Sequence, residues 1–214
     1  MHDNRLDNIR SLALLMVIMV HTWSLAGFSH VHQTLAYGLY HVVCDCGVPL
    51  FVMLSGALLL GRKPSSAGAF FRRRYTRLLV PFVLWASVVY VLSIVVGLYP
   101  IHSMRDAVCS FIPYLAENKV NEAYWYVAMI AMLYLITPLL NRALAVTSHR
   151  TLLGYLVVGV TLLALRNVWP DLYVARYTSA FLPFLLYYLF GHYAYKYLLP
   201  TPTHTTHTIN ANCT

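Results

Sequence analysis

Six apolar runs, each followed by a polar stretch, set the pattern of the chain. The first, Ile9 to Phe28, has the length of a bilayer crossing, which takes roughly 20 residues of helix at about 1.5 Å each. Further runs of helical length cover His41 to Leu60, Leu78 to Tyr99, Ala123 to Leu140 and Ser179 to Leu199. The run from Leu152 to Leu165 is shorter, of a length suited to a re-entrant segment. Pro81 then falls in the first turn of the third helix, where a missing N–H costs little. Pro138 marks a kink near the end of the fourth. Met104 to Leu115 reads as an interfacial amphipathic stretch, and the Tyr124, Trp125, Tyr126 cluster as a membrane–water boundary. The pattern predicts an all-α polytopic membrane helix bundle of about six transmembrane helices over residues 1–200, with a disordered polar tail over 201–214. No internal repeat of the inverted-transporter kind stands out.

Composition agrees. The chain is 59% hydrophobic and 10% charged, with mean hydropathy +0.62. Soluble domains carry about 25% charged residues. The N-terminal run has spanning length and no small-residue cleavage site, so it reads as a helix rather than a signal peptide. The net charge of +8 is concentrated between Arg62 and Arg77, a segment with six basic residues and no acidic one. Beside spanning segments, such a segment is a cytoplasmic loop rather than a nucleic-acid surface, and it suits anionic lipid. Lysines and arginines count eleven to four in favour of a cytoplasmic N-terminus. The flanks of the fifth run carry two arginines each and do not orient it. Cys44, Cys46, Cys109 and Cys213 lack metal-ligand spacing, so no metal site is expected, and Cys44 and Cys46 read as small core hydrophobes.

Three groups of residues carry chemistry. Arg10 and His21 lie eleven residues apart, so at ~100° per residue they share one helix face, roughly 16 Å apart along the axis, with Leu14 and Val17 between. A lone core histidine ordinarily packs and bonds a backbone group. One inside a spanning helix and aligned with an arginine points to function, and a neutral imidazole suits taking a proton from a hydroxyl. Asp45, about one turn into the second helix, is either hydrated at the interface or placed to fix the tautomer of His21. Pro49 opens the helix ladder near it, while Ser55 and Gly56 favour close helix approach. Among Arg72, Arg73, Arg74 and Arg77, some anchor the loop. Arg74 and Arg77 share a face if the helix begins here, and arginine is well shaped for bidentate phosphate binding, as in coenzyme A.

These blocks (Arg10 with His21, then GVPLFVMLSGALLL, FRRRYTRLLVPF and YWYVAMIAMLYLITPLL) resemble, in order from Asn4 to Leu199, the membrane-bound acyltransferase-3 family. The likeness is closest to the bacterial inner-membrane polysaccharide O-acetyltransferases of the enterobacterial common antigen type. The resemblance implies acetyl-CoA as cytoplasmic acyl donor and a carbohydrate hydroxyl as acceptor. His21 would be the base and Arg10 its motif partner, with Arg74 and Arg77, beside Arg73, on the donor. Asp45 matches no motif of the family. A histidine often found before the fourth block is Ala123 here. Members usually have about ten helices, so a chain of about six reads as C-terminally incomplete. Two other readings use the same residues: a small transporter with His21 and Asp45 lining a polar path, and a non-catalytic membrane protein. The lack of repeats and the arginine cluster weigh against the transporter.

Overall fold

A computed structural model describes residues 4–25, 35–62, 66–101, 103–117, 119–169 and 181–199. Among them there is no strand. In chain order the helices are α1 (Asn4–Leu25), α2 (Leu35–Asp45), α3 (Gly47–Leu59), α4 (Ala67–Val95), α5 (Met104–Ala116), α6 (Trp125–Val146), α7 (His149–Val168) and α8 (Leu182–Tyr193). A 3₁₀ turn over Glu122–Tyr124 leads into α6, and a π turn over Ala194–Leu198 ends α8. The all-α expectation holds. The polar tail lies outside the described residues.

Among the described residues four spans have the length and apolarity to cross a membrane: Tyr37–Leu59, Ala67–Val95, Trp125–Val146 and His149–Val168. The sequence pattern predicts six. The two outside this group are α1, whose start carries Arg5, Asp7 and Arg10, and α8, which has 12 described residues before its π turn.

Helix starts differ most from expectation. The third helix begins at Ala67, not Leu78, because Ser66 adopts an extended backbone (φ −155°, ψ 150°) and its Oγ accepts the Ala69 N–H at 3.1 Å. The arginine run is therefore helical, and Pro81 lies mid-helix, where the Arg77 carbonyl has no ladder partner. The fifth helix is no re-entrant fragment. It has 20 residues, because Ser148 caps it through the Thr151 N–H at 3.1 Å and recruits the polar turn His149–Arg150. The second run is interrupted at Cys46, as Pro49 would have it: residue 49 supplies no amide to the Asp45 carbonyl, and the helix restarts with Leu50 N–H on the Cys46 carbonyl at 3.0 Å.

The chain forms two compact units, residues 1–59 with 147–214, and residues 60–146. In the first, α1 runs antiparallel to α2 and α3. Gly47 faces Ala13, Met16 and Val17, where a Cβ would stand 3.0 Å from the Ala13 carbonyl oxygen, and the Tyr40 hydroxyl donates to the Met19 carbonyl at 2.6 Å. Helices α3 and α8 cross on reciprocal glycines: a side chain at Gly56 would strike the Tyr188 backbone, and one at Gly191 the Met53 backbone. Small residues permit such backbone approach where lipid gives no hydrophobic drive. Tyr188 and Val52 are fully buried beside this crossing. Helix α7 lies antiparallel to α8, with Gly159 against Leu186 and the His149 ring 5.8 Å from that of Tyr197.

In the second unit α4 and α6 are antiparallel in one register. The Tyr75 hydroxyl donates to the Ala131 carbonyl at 2.8 Å, and Phe82 meets the Tyr124 ring edge-on at 5.0 Å. The Asn141 side chain accepts the Gly61 N–H at 2.8 Å, holding the entry to the unit where Gly61 takes φ +76°. Helix α5 packs on the end of α4 through Tyr90, whose hydroxyl donates to the Ala107 carbonyl at 2.9 Å.

Candidate active site

Helix α1 buries the face that carries Leu6 and Ala13. The Arg10–Leu14–His21 stripe lies roughly 80° around from that face, and all three side chains are exposed. Val17, the other predicted member of the stripe, turns into the contact with Gly47. The Arg10 guanidinium donates to Asp7 Oδ1 at 3.1 Å, an exposed ion pair one turn back on the same helix. Such a pair is worth about 0–1 kcal/mol and leaves the guanidinium available to a stronger anion. Among the described residues no hydrogen bond or ion pair engages the His21 ring.

Asp45 ends α2 and is exposed; no described residue bonds it. Its neighbour Cys44 takes the buried position, 2% exposed. The antiparallel register fixed by Gly47 and Tyr40 sets Asp45 about six residues, or ~9 Å, along the axis from His21. No hydrogen bond joins the two. The polar group that α2 does deliver to α1 is Tyr40, whose acceptor Met19 lies two residues before His21. The spacing of Tyr37, Tyr40 and Cys44, one face of α2, was the available signal for it. Cys46, expected in the core, is exposed instead, and its Sγ donates to the Val42 carbonyl at 3.2 Å because the turn at 46 rotates it outward.

In the second unit the arginines ride the first turns of α4. Arg73, Arg74 and Arg77 fall within an arc of about 100°, and Arg72 lies about 100° beyond it. Arg74 is half-buried, and its charge acts on the nearby Tyr134 phenol. Arg73 and Arg77 are exposed, and none of the four pairs with a described carboxylate. Three unpaired guanidiniums on one helical arc are a ready phosphate-binding set.

Two features escaped the sequence reading. His192 is 4% exposed in α8, beside the Gly191 crossing. Tyr124, read there only as a boundary residue, has a hydroxyl withdrawn from solvent with no hydrogen-bond partner among the described residues, a cost of about 1–3 kcal/mol. Burial, and then the nearby Tyr99, raise its pKa. Among the described residues no cluster of histidine, cysteine, aspartate or glutamate is arranged to hold a metal.

A sequence profile of the acyltransferase domain, of the acyltransferase-3 type, matches residues 3–205. This chain belongs to the acyltransferase-3 family. No curated protein and no solved structure matches it. Membership makes the chain a membrane acyltransferase by family, in keeping with its four long apolar helices. The matched span takes in all six residues put forward from the sequence, Arg10, His21, Asp45, Arg73, Arg74 and Arg77.

Proposed function

We propose that this acyltransferase-3 protein moves an acetyl group from acetyl-CoA to a hydroxyl of a cell-surface carbohydrate, across a bacterial inner membrane with the N-terminus cytoplasmic. His21 serves as general base. Its ring takes the proton of the acceptor hydroxyl as that oxygen attacks the thioester carbonyl. The tetrahedral intermediate then expels the coenzyme A thiolate, breaking the C–S bond, and the imidazolium returns the proton to the sulfur. Arg73, Arg74 and Arg77 bind the donor phosphates. Arg10, released from Asp7, steadies the donor at the inner end of α1. The observation that carries this reading is the His21 ring, exposed and bonded by no described residue, on the Arg10 stripe of a chain that matches the family over 3–205.

Acetyl transfer by the purified protein, with His21→Ala beside the parent, tests it. Positioned proton transfer contributes about 10²–10⁴-fold, so the variant is expected to lose at least a hundredfold in kcat with the acetyl-CoA Kd unchanged. Equal rates for the two proteins would remove His21 as base.

A further inference from the structure

Helix α2 carries a second imidazole beside α1. His41 lies in the apolar span Tyr37–Leu59 and is half-buried. Its ring is held: Tyr37 stands 4.4 Å from it, centroid to centroid, at 56°, and Tyr40 meets it edge-on at 6.0 Å. Among the described residues no hydrogen bond or ion pair engages its nitrogens. Two contacts set its depth. Gly47 abuts Ala13, Met16 and Val17, and the Tyr40 hydroxyl donates to the Met19 carbonyl at 2.6 Å, an oxygen that Thr22 Oγ1 also bonds at 3.0 Å. In that register His41 comes one turn of α2 nearer than Asp45, within ~3 Å of the His21 level. The side is set as well. His21 lies roughly 70° onward from the packed face of α1, marked by Leu6 and Ala13, and His41 roughly 80° onward from the packed face of α2, marked by Tyr40 and Cys44. Antiparallel helices wind in opposite senses along one viewing axis, so equal onward rotations point to the same side of the pair. At interaxial distances of about 8–10 Å the two Cβ atoms stand roughly 8 Å apart, space for one small group between the rings.

We propose that His41 donates a hydrogen bond to the carbonyl oxygen of the thioester, a catalytic role that rests on the reading of His21 as base. Attack by the acceptor hydroxyl turns that C=O into a tetrahedral oxyanion. The N–H of neutral His41 bonds this oxygen and keeps its proton, while His21 takes the proton of the hydroxyl. The two rings therefore divide the chemistry: one handles the proton, the other the charge. A ring already fixed against Tyr37 and Tyr40 needs no reorganisation as the charge appears, which is what makes such a donor effective. An interfacial aromatic belt accounts for Tyr37 at the start of the span. It does not account for a ring nitrogen at position 41, one turn farther in and on the His21 side, where histidine is costly to place.

The test is infrared difference spectroscopy of acetyl-CoA, isotope-labelled at the acetyl carbonyl and bound to the full chain in detergent. A hydrogen bond lowers the C=O stretch. The bound band is expected below that of free acetyl-CoA in the parent and in His21→Ala. It should return to the free position in His41→Phe, which keeps a ring against Tyr37 and removes the N–H. Acetyl-CoA hydrolysis on the same samples should fall about 10²–10³-fold in kcat for His41→Phe with Kd unchanged, and His41→Gln, whose amide also donates, should recover part of the loss. No lowered band in the parent, or a lowered band kept in His41→Phe, overturns the proposal. Placement is checked without activity. With Cys44, Cys46, Cys109 and Cys213 replaced by serine, His21→Cys with His41→Cys should be bridged by a bifunctional bimane that fluoresces only after both thiols react. Met19→Cys with His41→Cys, near the same depth on the other side of α1, should not. No bridging of the first pair also overturns it. Hydrolysis that needs His21 while the band ignores His41 removes the oxyanion role alone. A band that needs His41, with hydrolysis indifferent to His21, removes the base alone.

Discussion

Arg72, Arg73, Arg74 and Arg77 are one run in the sequence, and only the helix beneath them tells them apart. Residue spacing places Arg73, Arg74 and Arg77 on one arc and turns Arg72 away. Charge-assisted bonds to phosphate are worth about 1.5–3 kcal/mol each. Arg74→Ala and Arg77→Ala are therefore expected to raise the acetyl-CoA Kd roughly tenfold or more, and Arg72→Ala less than threefold, by titration calorimetry. Equal effects at all four positions would mean a diffuse field rather than a site. Gly56 and Gly191 make the converse point, since their function is to have no side chain. Each abuts partner backbone, Tyr188 and Met53, which cannot swing aside as a flexible side chain does. Gly191→Val should cost more than the 1–3 kcal/mol usual for overpacking and appear as a lost unfolding transition or aggregated protein. Gly38→Ala, with nothing near its Cβ, should leave unfolding unchanged. Of the residue-level features, Gly56 was legible because a small residue in an apolar run has few uses. The Arg10–His21 stripe was legible from spacing alone. The Tyr124 hydroxyl was not, because an unmet hydrogen bond is a property of surroundings that no single residue type encodes.

Whole helices were easier to find than their ends. The apolar runs located the long helices because burial in lipid or protein demands apolar length, but one run, His41 to Leu60, covers α3 and only the second half of α2, and α5 shows only as an amphipathic stretch. The starts of α4 and α7 were missed by the same error. Polar turns such as RRRYTR and HRT read as loop from their charge, although arginine is a good helix former and a capping serine, Ser66 or Ser148, precedes each. Ser66 and Ser148 each accept the amide three residues on, which fixes those starts. The Ser66 cap thus holds the turns that carry the arginines. Ser66→Ala should cost about 1 kcal/mol of stability and raise the acetyl-CoA Kd severalfold by fraying residues 67–74. Ser66→Asp, which also caps, should restore both. A thermal-unfolding and donor-titration pair on the two variants checks this, and failure of the aspartate to rescue would detach the cap from the donor site.

For the molecule as a whole, the exposed positions and the charges point to one arrangement across the membrane. In the proposed orientation the six basic residues between Arg62 and Arg77, with no acidic residue among them, anchor the start of α4 on the cytoplasmic side. The opposite end of α4, with α5 and the 3₁₀ turn before α6, then belongs outside in that orientation. Cys109 lies on α5 and is exposed, so it reports on that side directly. With Cys44, Cys46 and Cys213 replaced by serine, a membrane-impermeant maleimide should label Cys109 in intact spheroplasts. In the same background Cys109→Ser combined with Gly68→Cys, at an open position in the first turn of α4, should be labelled only after lysis. The reverse pattern would place the arginines outside, away from any cytosolic thioester, and with them the donor site. Labelling of both before lysis would mean that α4 does not cross at all. Either result would undo the proposed orientation, because phosphate-binding arginines that do not face the cytosol cannot meet a cytosolic acyl donor.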